Sequence, residues 1–580
     1  MKLASVILDI PTQALDAPYT YAVPEEAGDQ PIEVGCAVLV PFGPRQAVGF
    51  IIGIEERAEG DWPAGLDPAK LKGIVRAVSR PYFDEEGAAC AQWLSERYIA
   101  PLSSCVRLFT PPGGVPRMVR AQGGYWRLEE PTVGEVDDRW VVPGPALADF
   151  EPRKNAVKQA SIAAALERGE LRVAELTAEF GAVSSPLKAL EKQGVVRIEH
   201  RRRMRGMAEG SAGSAPSADS AAVPSFTPSP KPPLTRGQAD ALAAIDAARS
   251  RGEGEVVLVD GVTGSGKTEV YLQAIEETLA AGRTACVLVP EISLTPQTVA
   301  RFRGRFGDLV AVMHSRMSQG ERYDQWDFIR SGAARVVVGA RSALFTPLSN
   351  LGLIVIDEEH EGSYKQDSAP RYHARDVAVW MARRAGAAVV LGSATPSIEA
   401  LHACAKNPSW HQVSLPERAN GKPLPEVQVV DMAKEFSGGS RSMFALPLAR
   451  ALEEELAAGR KAVLLLNQRG FAKFLLCREC GFVPECPSCS TSLTYHERGN
   501  FLICHHCGYR IPTPPVCPEC GSPYLKKFGA GTQRVEAELR ALLDGLPGVG
   551  PNVPIVRMDA DTTTGKGAHQ RLLEQFAAAD

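Results

Sequence analysis

The chain has 580 residues, and 64 lysines and arginines against 68 aspartates and glutamates give it a formal net charge of −4. A hydrophobic content of 44% and a charged content of 23% are ordinary for globular proteins and exclude a fibrous or wholly disordered chain. The near-neutral balance excludes a globally basic nucleic-acid coat, so any contact with nucleic acid must come from local patches. No apolar run approaches the roughly 18–20 residues that cross a bilayer, and the first apolar run stops at Asp9 and Pro11, too early for a signal peptide. We therefore expect a cytoplasmic protein without a membrane segment.

Two small domains are predicted in the first part of the chain. Short β-rich runs separated by turn signals predict a small β-rich domain over residues 1–110. Three helical patterns and a final strand-like run with a basic tail predict a winged helix within residues 111–205. Either a solvated surface or contact with a nucleic-acid backbone explains the basic residues near the predicted wing, which are Arg201, Arg202, Arg203 and Arg205.

A motor of two lobes is predicted after a linker. Residues 206–233 are almost all Gly, Ala, Ser and Pro, so they predict a disordered linker. Strands rich in Val, Ile and Leu then alternate with amphipathic helices, which indicates a parallel sheet covered on both faces. The predicted fold is multidomain α/β, with a first RecA-like lobe over residues 234–415. A second lobe over residues 416–580 has a strand near residue 462 and carries a cysteine-rich insertion at residues 477–520.

The segment GVTGSGKT satisfies the phosphate-loop pattern G-x-x-x-x-G-K-[ST] between a predicted strand and a predicted helix. Such a loop turns its backbone N–H groups toward phosphates at a helix N-terminus, and a glycine-rich turn without a ligand is the alternative. Lys267 can reach the β- and γ-phosphates and Thr268 can offer a hydroxyl to Mg²⁺. The residues predicted to bind ATP here are Gly261, Val262, Thr263, Gly264, Ser265, Gly266, Lys267 and Thr268.

Two acids at the end of a buried strand complete the predicted ATP site. In LGLIVIDEEH, Asp357 is placed to hold the metal's hydration shell, and Glu358 to orient and deprotonate the attacking water. An acid-rich helix N-terminus is the alternative. Lys267, Asp357 and Glu358 are therefore the predicted catalytic residues, and ATP and Mg²⁺ the predicted ligands.

A mixture of aromatic and basic residues follows the acids and suits stacking on bases and contact with phosphate. An ordinary surface loop is the alternative. The predicted DNA-contacting residues of this segment are Tyr364, Lys365, Arg371 and Tyr372.

Eight of the 13 cysteines form four C-x-x-C pairs, which in a reducing compartment indicates metal rather than disulfides. Between Cys489 and Cys504 the sequence alternates and turns like a hairpin, which favours a zinc ribbon whose inner pairs share one ion and whose outer pairs share another. Sequential pairing and an iron–sulfur cluster are the alternatives. Two structural Zn²⁺ ions are predicted, with the ligands Cys477, Cys480, Cys486, Cys489, Cys504, Cys507, Cys517 and Cys520.

These motifs together resemble those of the PriA (primosomal protein N′) family of replication-restart helicases, within helicase superfamily 2. The resemblance rests on LTRGQ at residues 234–238, VPEISLTPQ at 289–297, the pair His314–Ser315, VVVGARSALFTPL around Arg341, DEEH and GSATPS at 392–397. It extends to LDAPYTYAVP near the start and to the cysteine block.

The resemblance implies that Gln238 reads adenine, that Arg341 contacts single-stranded DNA and that the first domain binds the 3′ end of a nascent strand. Thr20 stands where some members have an aspartate, and Arg236 and Gly237 replace the more usual Pro-Glu before the glutamine. The nested cysteine pairing is also what the family implies, with the cysteine block a candidate wedge or docking surface. Implied partners of a monomeric enzyme are forked and single-stranded DNA, single-strand DNA-binding protein and helicase-loading primosome proteins.

NQRG at residues 467–470, GAGTQ at 529–533 and MDADTT at 558–563 resemble motifs of the second lobe, with Gln533 where the family commonly has Glu. The last motor motifs of the family do not follow, so we expect either a fragment or a degenerate motor. The leading hypothesis is an ATP-dependent 3′-to-5′ DNA helicase that restarts replication at stalled or repaired forks. A fork-binding scaffold with little motor activity and an RNA-directed DExH enzyme are the alternatives.

Overall fold

We describe the protein from a computed structural model in two compact units, residues 1–424 and residues 425–580, each taken by itself. The structure describes residues 1–10, 12, 15–24, 31–58, 68–121, 124–153, 155–205, 231–291, 294–437, 442–466, 474–496, 499–528, 532–546, 549, 553–559, 562–563 and 568–579. The predicted linker (except residues 231–233), NQRG, and parts of the VPEISLTPQ, GAGTQ and MDADTT motifs lie outside these residues.

The N-terminal region is a five-stranded antiparallel sheet with two helices, which confirms the predicted β-rich domain. The sheet has the order β2-β1-β4-β3-β5. Its elements are β1 (Lys2–Leu8), β2 (Tyr19–Ala22), β3 (Ala37–Phe42), β4 (Arg45–Glu56), β5 (Arg76–Ala77), α1 (Glu85–Tyr98) and α2 (Leu102–Val106). Asp84 caps α1 by accepting a hydrogen bond from the N–H of Gly87.

Three helices on a small antiparallel sheet of order β10-β8-β9 follow, in the arrangement of a winged helix. Ile162, Leu176 and Leu190 form the centre of its core. The sequence predicted the three helices and β10 but not β8, the strand that pairs with β10 along its whole length. The elements of this region are β6 (Arg117–Arg120), β7 (Trp126–Glu129), β8 (Asp137–Pro143), α3 (Val157–Leu166), β9 (Leu171–Arg172), α4 (Val173–Phe180), α5 (Ser184–Lys192) and β10 (Val196–Arg202).

A seven-stranded parallel sheet of order β13-β14-β12-β15-β16-β11-β17 confirms the RecA-like lobe. Alternate residues of the strand Val256–Gly261 pack on opposite faces of the sheet. Val256 and Leu258 belong to the core on one face, and Val257 and Val259 to the core on the other. The sequence did not predict β13 and β17. The elements are α6 (Arg236–Arg251), β11 (Val256–Gly261), α7 (Lys267–Ala280), β12 (Thr284–Leu288), α8 (Pro296–Phe306), β13 (Val310–Met313), α9 (Gln319–Arg330), β14 (Val336–Gly339), β15 (Leu351–Asp357), α10 (Ala374–Ala385), β16 (Ala388–Ser393), α11 (Ile398–Lys406) and β17 (Trp410–Leu415).

The N-terminal domain and the winged helix are both fixed to this lobe. Phe109 of the first domain packs edge-on against Phe345 of the lobe, with ring centroids 5.1 Å apart. Arg202 and Arg205 form ion pairs with the fully buried Asp324 of α9, at 3.1 and 2.6 Å. These two arginines therefore attach the winged helix to the motor, which corrects the reading of the whole basic run as a solvated or nucleic-acid-facing surface.

The second unit contains the cysteine block between helices. Its strands pair antiparallel, β18 with β22 and β20 with both β19 and β21. Residues 461–466 were expected to begin a parallel strand. In the part of the chain that the structure describes, they form neither a helix nor a strand and pair with no other strand. The elements are α12 (Met432–Ser437), α13 (Leu446–Ala457), β18 (Phe474–Cys477), β19 (Thr494–His496), β20 (Phe501–Ile503), β21 (Arg510–Pro512), β22 (Leu525–Phe528), α14 (Thr532–Leu543) and α15 (Ala568–Ala578).

Candidate functional site

The phosphate loop joins β11 to α7 at the carboxyl edge of the parallel sheet. Gly264 and Gly266 both have φ of +83°, in the left-handed region that favours glycine. A Cβ on Gly266 would also lie 2.3 Å from Nε2 of Gln238, so a side chain there would displace the amide of Gln238. The loop thus ends at Lys267, the first residue of α7, and leaves the N-terminus of that helix open to the cavity.

Gln238 supports the loop. Its buried amide accepts a hydrogen bond from the N–H of Thr235 at 2.8 Å and donates one to the carbonyl of Ser265 at 2.8 Å. The residue is not among those that line the cavity. In this structure Gln238 therefore holds the phosphate loop against α6. The prediction that Gln238 recognises adenine did not include this structural role.

The cavity beside the loop has a volume of about 580 Å³ and receives residues from four stretches of the chain. It contains the phosphate loop from Thr263 onward and the predicted acids, whereas Gly261 and Val262 are not in its wall. Glu269 and Leu272, which lie on α7, were not predicted, and neither were Pro232, Arg301 and Arg305, which separate segments bring there. The wall consists of Pro232, Thr263, Gly264, Ser265, Gly266, Lys267, Thr268, Glu269, Leu272, Arg301, Arg305, Asp357 and Glu358.

Two polar groups of the loop show that the cavity fits a phosphate ligand. Nζ of the buried Lys267 donates to the carbonyl of Gly261 at 2.7 Å, so the cation is held inside the loop. The hydroxyl of Ser265 is buried and has no hydrogen-bond partner among the described residues. A cation and an unsatisfied hydroxyl at a helix N-terminus are suited to an anionic group.

Asp357 is tied to the helix that follows the loop. Oδ1 of Asp357 accepts a hydrogen bond from the hydroxyl of Tyr271 at 3.1 Å. Burial and then the charge of Glu358 raise the pKa of Asp357 above its ordinary value, while the Tyr271 hydrogen bond and Lys267 act in the opposite direction. A Cβ on Gly392 would lie 1.5 Å from the Tyr271 hydroxyl, so the glycine of GSATPS makes room for this bond. The four-residue spacing of Lys267 and Tyr271 on one helix was the available sequence signal.

Glu358 lies next to a connection to GSATPS. Its φ is +47°, a left-handed conformation that is uncommon outside glycine. Oε2 of Glu358 is 3.7 Å from Nδ1 of His360, and that nitrogen is 2.7 Å from the hydroxyl of Ser393. The predicted general base and the motif after β16 are thus linked through one imidazole.

A buried network behind these acids was not predicted. Glu359 is 2% exposed and accepts hydrogen bonds from the N–H and the hydroxyl of Ser397, at 2.5 and 2.9 Å. Nη1 of Arg375 lies 3.3 Å from the same carboxylate and donates to the Ser397 hydroxyl at 3.0 Å. The third acid of DEEH, Glu359, therefore fixes GSATPS to α10 rather than facing the cavity.

Two of the predicted DNA-stacking residues are part of the core. Tyr364 and Tyr372 are each 1% exposed. The Tyr364 hydroxyl donates to the carbonyls of Leu288 and Asp357, and the Tyr372 ring packs edge-on against Phe345 at 5.0 Å. Neither ring is available to a base in this arrangement. The aromatic residues of this segment anchor it to the lobe because their rings are covered by residues distant in sequence.

The three predicted basic residues lie around the same segment. Nη1 of Arg341 donates to the carbonyls of Ser363 and Lys365, at 2.8 and 2.6 Å. Lys365 and Arg371 are exposed, and Nζ of Lys365 donates to the carbonyl of Arg371. Contact of these three residues with DNA stays a prediction.

The eight clustered cysteines form two groups of four in the nested arrangement. The outer group is Cys477, Cys480, Cys517 and Cys520, and the inner group is Cys486, Cys489, Cys504 and Cys507. Within each group all Sγ atoms lie within 4.8 Å of one another, near the separation of about 3.8 Å that tetrahedral ligands at about 2.3 Å from Zn²⁺ would have. The sequential pairing is therefore wrong.

Each pair forms the same short turn. The residue after its second cysteine is left-handed, and these residues are Gly481, Ser490, Gly508 and Gly521. In the inner group, the N–H of Cys507 and the hydroxyl of Thr491 lower the pKa of the Cys504 thiol to about 6, while the neighbouring thiol of Cys507 raises the pKa of Cys489 to about 12. A thiol that ionises readily is suited to a metal ligand. His505 and His506 belong to neither group.

Comparison with known proteins agrees with this geometry along the chain. A family model described as DEAD/DEAH box helicase matches residues 235–403, the 3′ DNA-binding domain model of PriA matches residues 5–111, and the Cys-rich region model of PriA DNA helicase matches residues 486–512. The replication restart protein PriA of Bacillus subtilis is 38% identical over 99% of this chain and 75% of its own length. The PriA proteins of Synechocystis and Haemophilus influenzae are 37% and 34% identical over 99% of this chain, and 73% and 72% of their own lengths.

The chain belongs to the PriA family.

It is thus a replication restart protein with an ATP-dependent helicase domain. Among solved structures, RecG bound to a three-way DNA junction is similar over 39% of this chain and 28% of its own, at 21% identity and a TM-score of 0.28. In the described residues of this PriA-family chain, no helix is long and apolar enough to span a bilayer.

Proposed function

We propose that this chain hydrolyses ATP in the cavity around Lys267 and uses the energy to move 3′ to 5′ along DNA at stalled or repaired replication forks. The observation that carries the proposal is the single cavity in which the phosphate loop, Asp357 and Glu358 come together. This cavity lies in the domain matched by the helicase model, and the domain matched by the 3′ DNA-binding model is packed on the same lobe.

Each side chain of the cavity has a proposed role. Lys267 and the N–H groups at the start of α7 bind the β- and γ-phosphates. Thr268 and Asp357 hold Mg²⁺, which when bound neutralises charge on the phosphates. Glu358 orients the attacking water and accepts its proton. Because His360 links Glu358 to Ser393, a shift of the carboxylate is transmitted to GSATPS.

The remaining parts of the proposal follow from the cysteine groups and the family. The two groups each hold one Zn²⁺ and stabilise the insertion without taking part in the chemistry. The enzyme works as a cytoplasmic monomer on forked and single-stranded DNA, together with single-strand DNA-binding protein and helicase-loading proteins.

The test is the ATPase rate with and without a forked DNA that carries a leading-strand 3′ end. We expect stimulation by the fork, loss of the activity in Lys267→Ala and Glu358→Gln, and fork binding by Glu358→Gln that matches the parent chain. Tight fork binding without stimulation would instead support the scaffold. The same assay on the full-length Bacillus subtilis relative, of which the match covers 75%, provides the reference rate.

A further inference from the structure

Tyr98, the last residue of α1, connects the N-terminal domain to the start of α10 in the motor lobe. Its hydroxyl donates to Oδ2 of Asp376 at 3.1 Å and accepts from the N–H of His373 at 3.2 Å. One hydroxyl thus bonds both the cap residue and the first turn of α10. Burial raises the pKa of Tyr98, so the hydroxyl stays protonated and can make both bonds at neutral pH.

One of the two partners, His373, also forms the base of a hairpin, residues 365–373, which follows the predicted hydrolytic acids, and the other, Asp376, lies in the first turn of α10. Lys365 and His373 pair as an antiparallel bridge, and the N–H of Gln366 donates to the carbonyl of Tyr372 at 2.9 Å. Nζ of Lys365 lies 5.1 Å from the centroid of the Tyr98 ring. Tyr98 therefore contacts both strands of the hairpin, one through its hydroxyl and the other through its ring.

The base of this hairpin is also connected to the predicted ATP site. Tyr364, adjacent to Lys365 in sequence, donates a hydrogen bond from its buried hydroxyl to the main-chain carbonyl of Asp357 at 2.6 Å. A displacement at Tyr98 would act on Lys365 and His373, and through Tyr364 on the backbone that carries Asp357 and Glu358. A continuous chain of side chains that contact one another through hydrogen bonds can couple ligand binding at two distant sites.

We propose that Tyr98 is the positioning residue through which the N-terminal domain, when it holds a DNA 3′ end, alters nucleotide affinity at the ATP site. The proposal rests on the proposed function, because it requires that the N-terminal domain bind a 3′ end and that the cavity bind nucleotide. It goes beyond that function by assigning a coupling role to Tyr98.

The chain offers a matched control between the same two helices. Glu86 of α1 and Arg384 of α10 form an ion pair at the exposed surface, away from the hairpin. Glu86→Gln removes a contact between α1 and α10 without touching the hairpin, whereas Tyr98→Phe removes only the hydroxyl. A purely adhesive role for Tyr98 predicts similar effects from both substitutions, and the coupling role predicts an effect from Tyr98→Phe alone.

The experiment measures the dissociation constant of a fluorescent, non-hydrolysable ATP analogue with Mg²⁺, with and without a fork that carries a leading-strand 3′ end. The ratio of the two constants is the coupling factor, and a fork lacking the nascent strand gives the reference. We expect a factor of about five or more in the parent chain, a factor near one in Tyr98→Phe, and the parent value in Glu86→Gln. Binding of each ligand alone should stay within about two-fold of the parent for Tyr98→Phe.

The outcomes distinguish the proposal from the function on which it rests. A parent chain that binds the fork with and without the nascent strand equally, or does not bind the analogue, overturns the proposed function itself. A parent chain with clear coupling that Tyr98→Phe retains overturns only the role of Tyr98, and so does loss of fork binding by Tyr98→Phe alone. Combining Tyr98→Phe with Asp376→Asn should cost no more coupling than Tyr98→Phe does, because the two groups share one bond.

Discussion

The hydroxyl of Tyr271 donates a 3.1 Å hydrogen bond to Oδ1 of Asp357 and so joins the helix after the phosphate loop to the acid at the end of β15. The bond opposes the rise in the pKa of Asp357 that burial and the charge of Glu358 cause. A buried tyrosine thus helps to keep the carboxylate of Asp357, which we propose holds Mg²⁺, ionised at a position where burial favours the protonated form.

Tyr271→Phe should weaken Mg²⁺-dependent nucleotide binding. Without the hydroxyl the pKa of Asp357 rises further, so a larger fraction of the carboxylate is protonated at mildly acidic pH. We expect a loss of affinity of about ten-fold, as for a hydrogen bond to a charged group, and a shift of the acidic limb of the binding profile to higher pH. Titration with a fluorescent nucleotide at several pH values measures both, with the exposed Tyr125 changed to Phe as a control. An unshifted profile would contradict the role of Tyr271.

Paired cysteine substitutions should report the nested arrangement as zinc content. Cys480→Ser with Cys517→Ser removes two ligands of one group, so one of two ions should remain, whereas Cys480→Ser with Cys489→Ser should release both. Sequential pairing predicts the reverse for the two double variants. Zinc per chain, measured by elemental mass spectrometry of the purified proteins, separates the two patterns. Iron in place of zinc would show that the groups hold a cluster instead.

Asp324→Asn should loosen the winged helix from the motor lobe. Asp324 is fully buried and pairs with both Arg202 and Arg205, so its loss removes the charge that compensates Arg205 and the nearest of the charges that compensate Arg202, which keeps Asp327 at 3.5 Å. We expect a decrease in the free energy of unfolding of about 3 kcal/mol. The control is Glu135→Gln, since Glu135 is an exposed residue 3.9 Å from Arg202 and a surface pair contributes about 0–1 kcal/mol. Urea unfolding of the two variants provides the comparison. Equal unfolding midpoints would argue against the role of Asp324 in attaching the winged helix to the motor lobe.

His373 should make the motor lobe sensitive to acid. Its Nδ1 accepts the N–H of Arg375 at the start of α10, and burial followed by the charge of Arg375 lowers its pKa from 6.5. Because the folded-state pKa lies below the unfolded value, the stability that neutral His373 contributes is present above about pH 6.5 and is lost as the pH falls toward the folded-state pKa. His373→Asn retains a cap but does not titrate.

The pH dependence of unfolding between pH 7.5 and 5 measures the contribution of His373. We expect a smaller loss of stability in His373→Asn than in the parent chain, and no such change in His402→Asn, which alters an exposed histidine of α11. Parallel curves for the parent and His373→Asn would show that the cap is not the acid-sensitive group.

Much of the fold and chemistry was predictable because it depends on residues that are close in sequence. The phosphate loop needs two left-handed glycines and a lysine within a few residues, and the strands of the parallel sheet are marked by uninterrupted Val, Ile and Leu. β13 and β17 were not predicted. β17 is half-buried at one edge of the sheet, where its apolar pattern is diluted.

The amino-acid sequence by itself determined the class of protein, the phosphate loop, the acid pair and the four cysteine pairs, since each of these is a local pattern. Tertiary structure decided the partners of groups far apart in the chain. Tyr364 and Tyr372 lie in a segment whose mixture of aromatic and basic residues predicts base stacking, yet the core covers both rings. Arg205 belongs to a basic run that predicts contact with phosphate, yet it forms an ion pair with Asp324, which is 119 residues away in the sequence. Burial and long-range pairing depend on how the sheet and helices pack, and no local pattern records that packing.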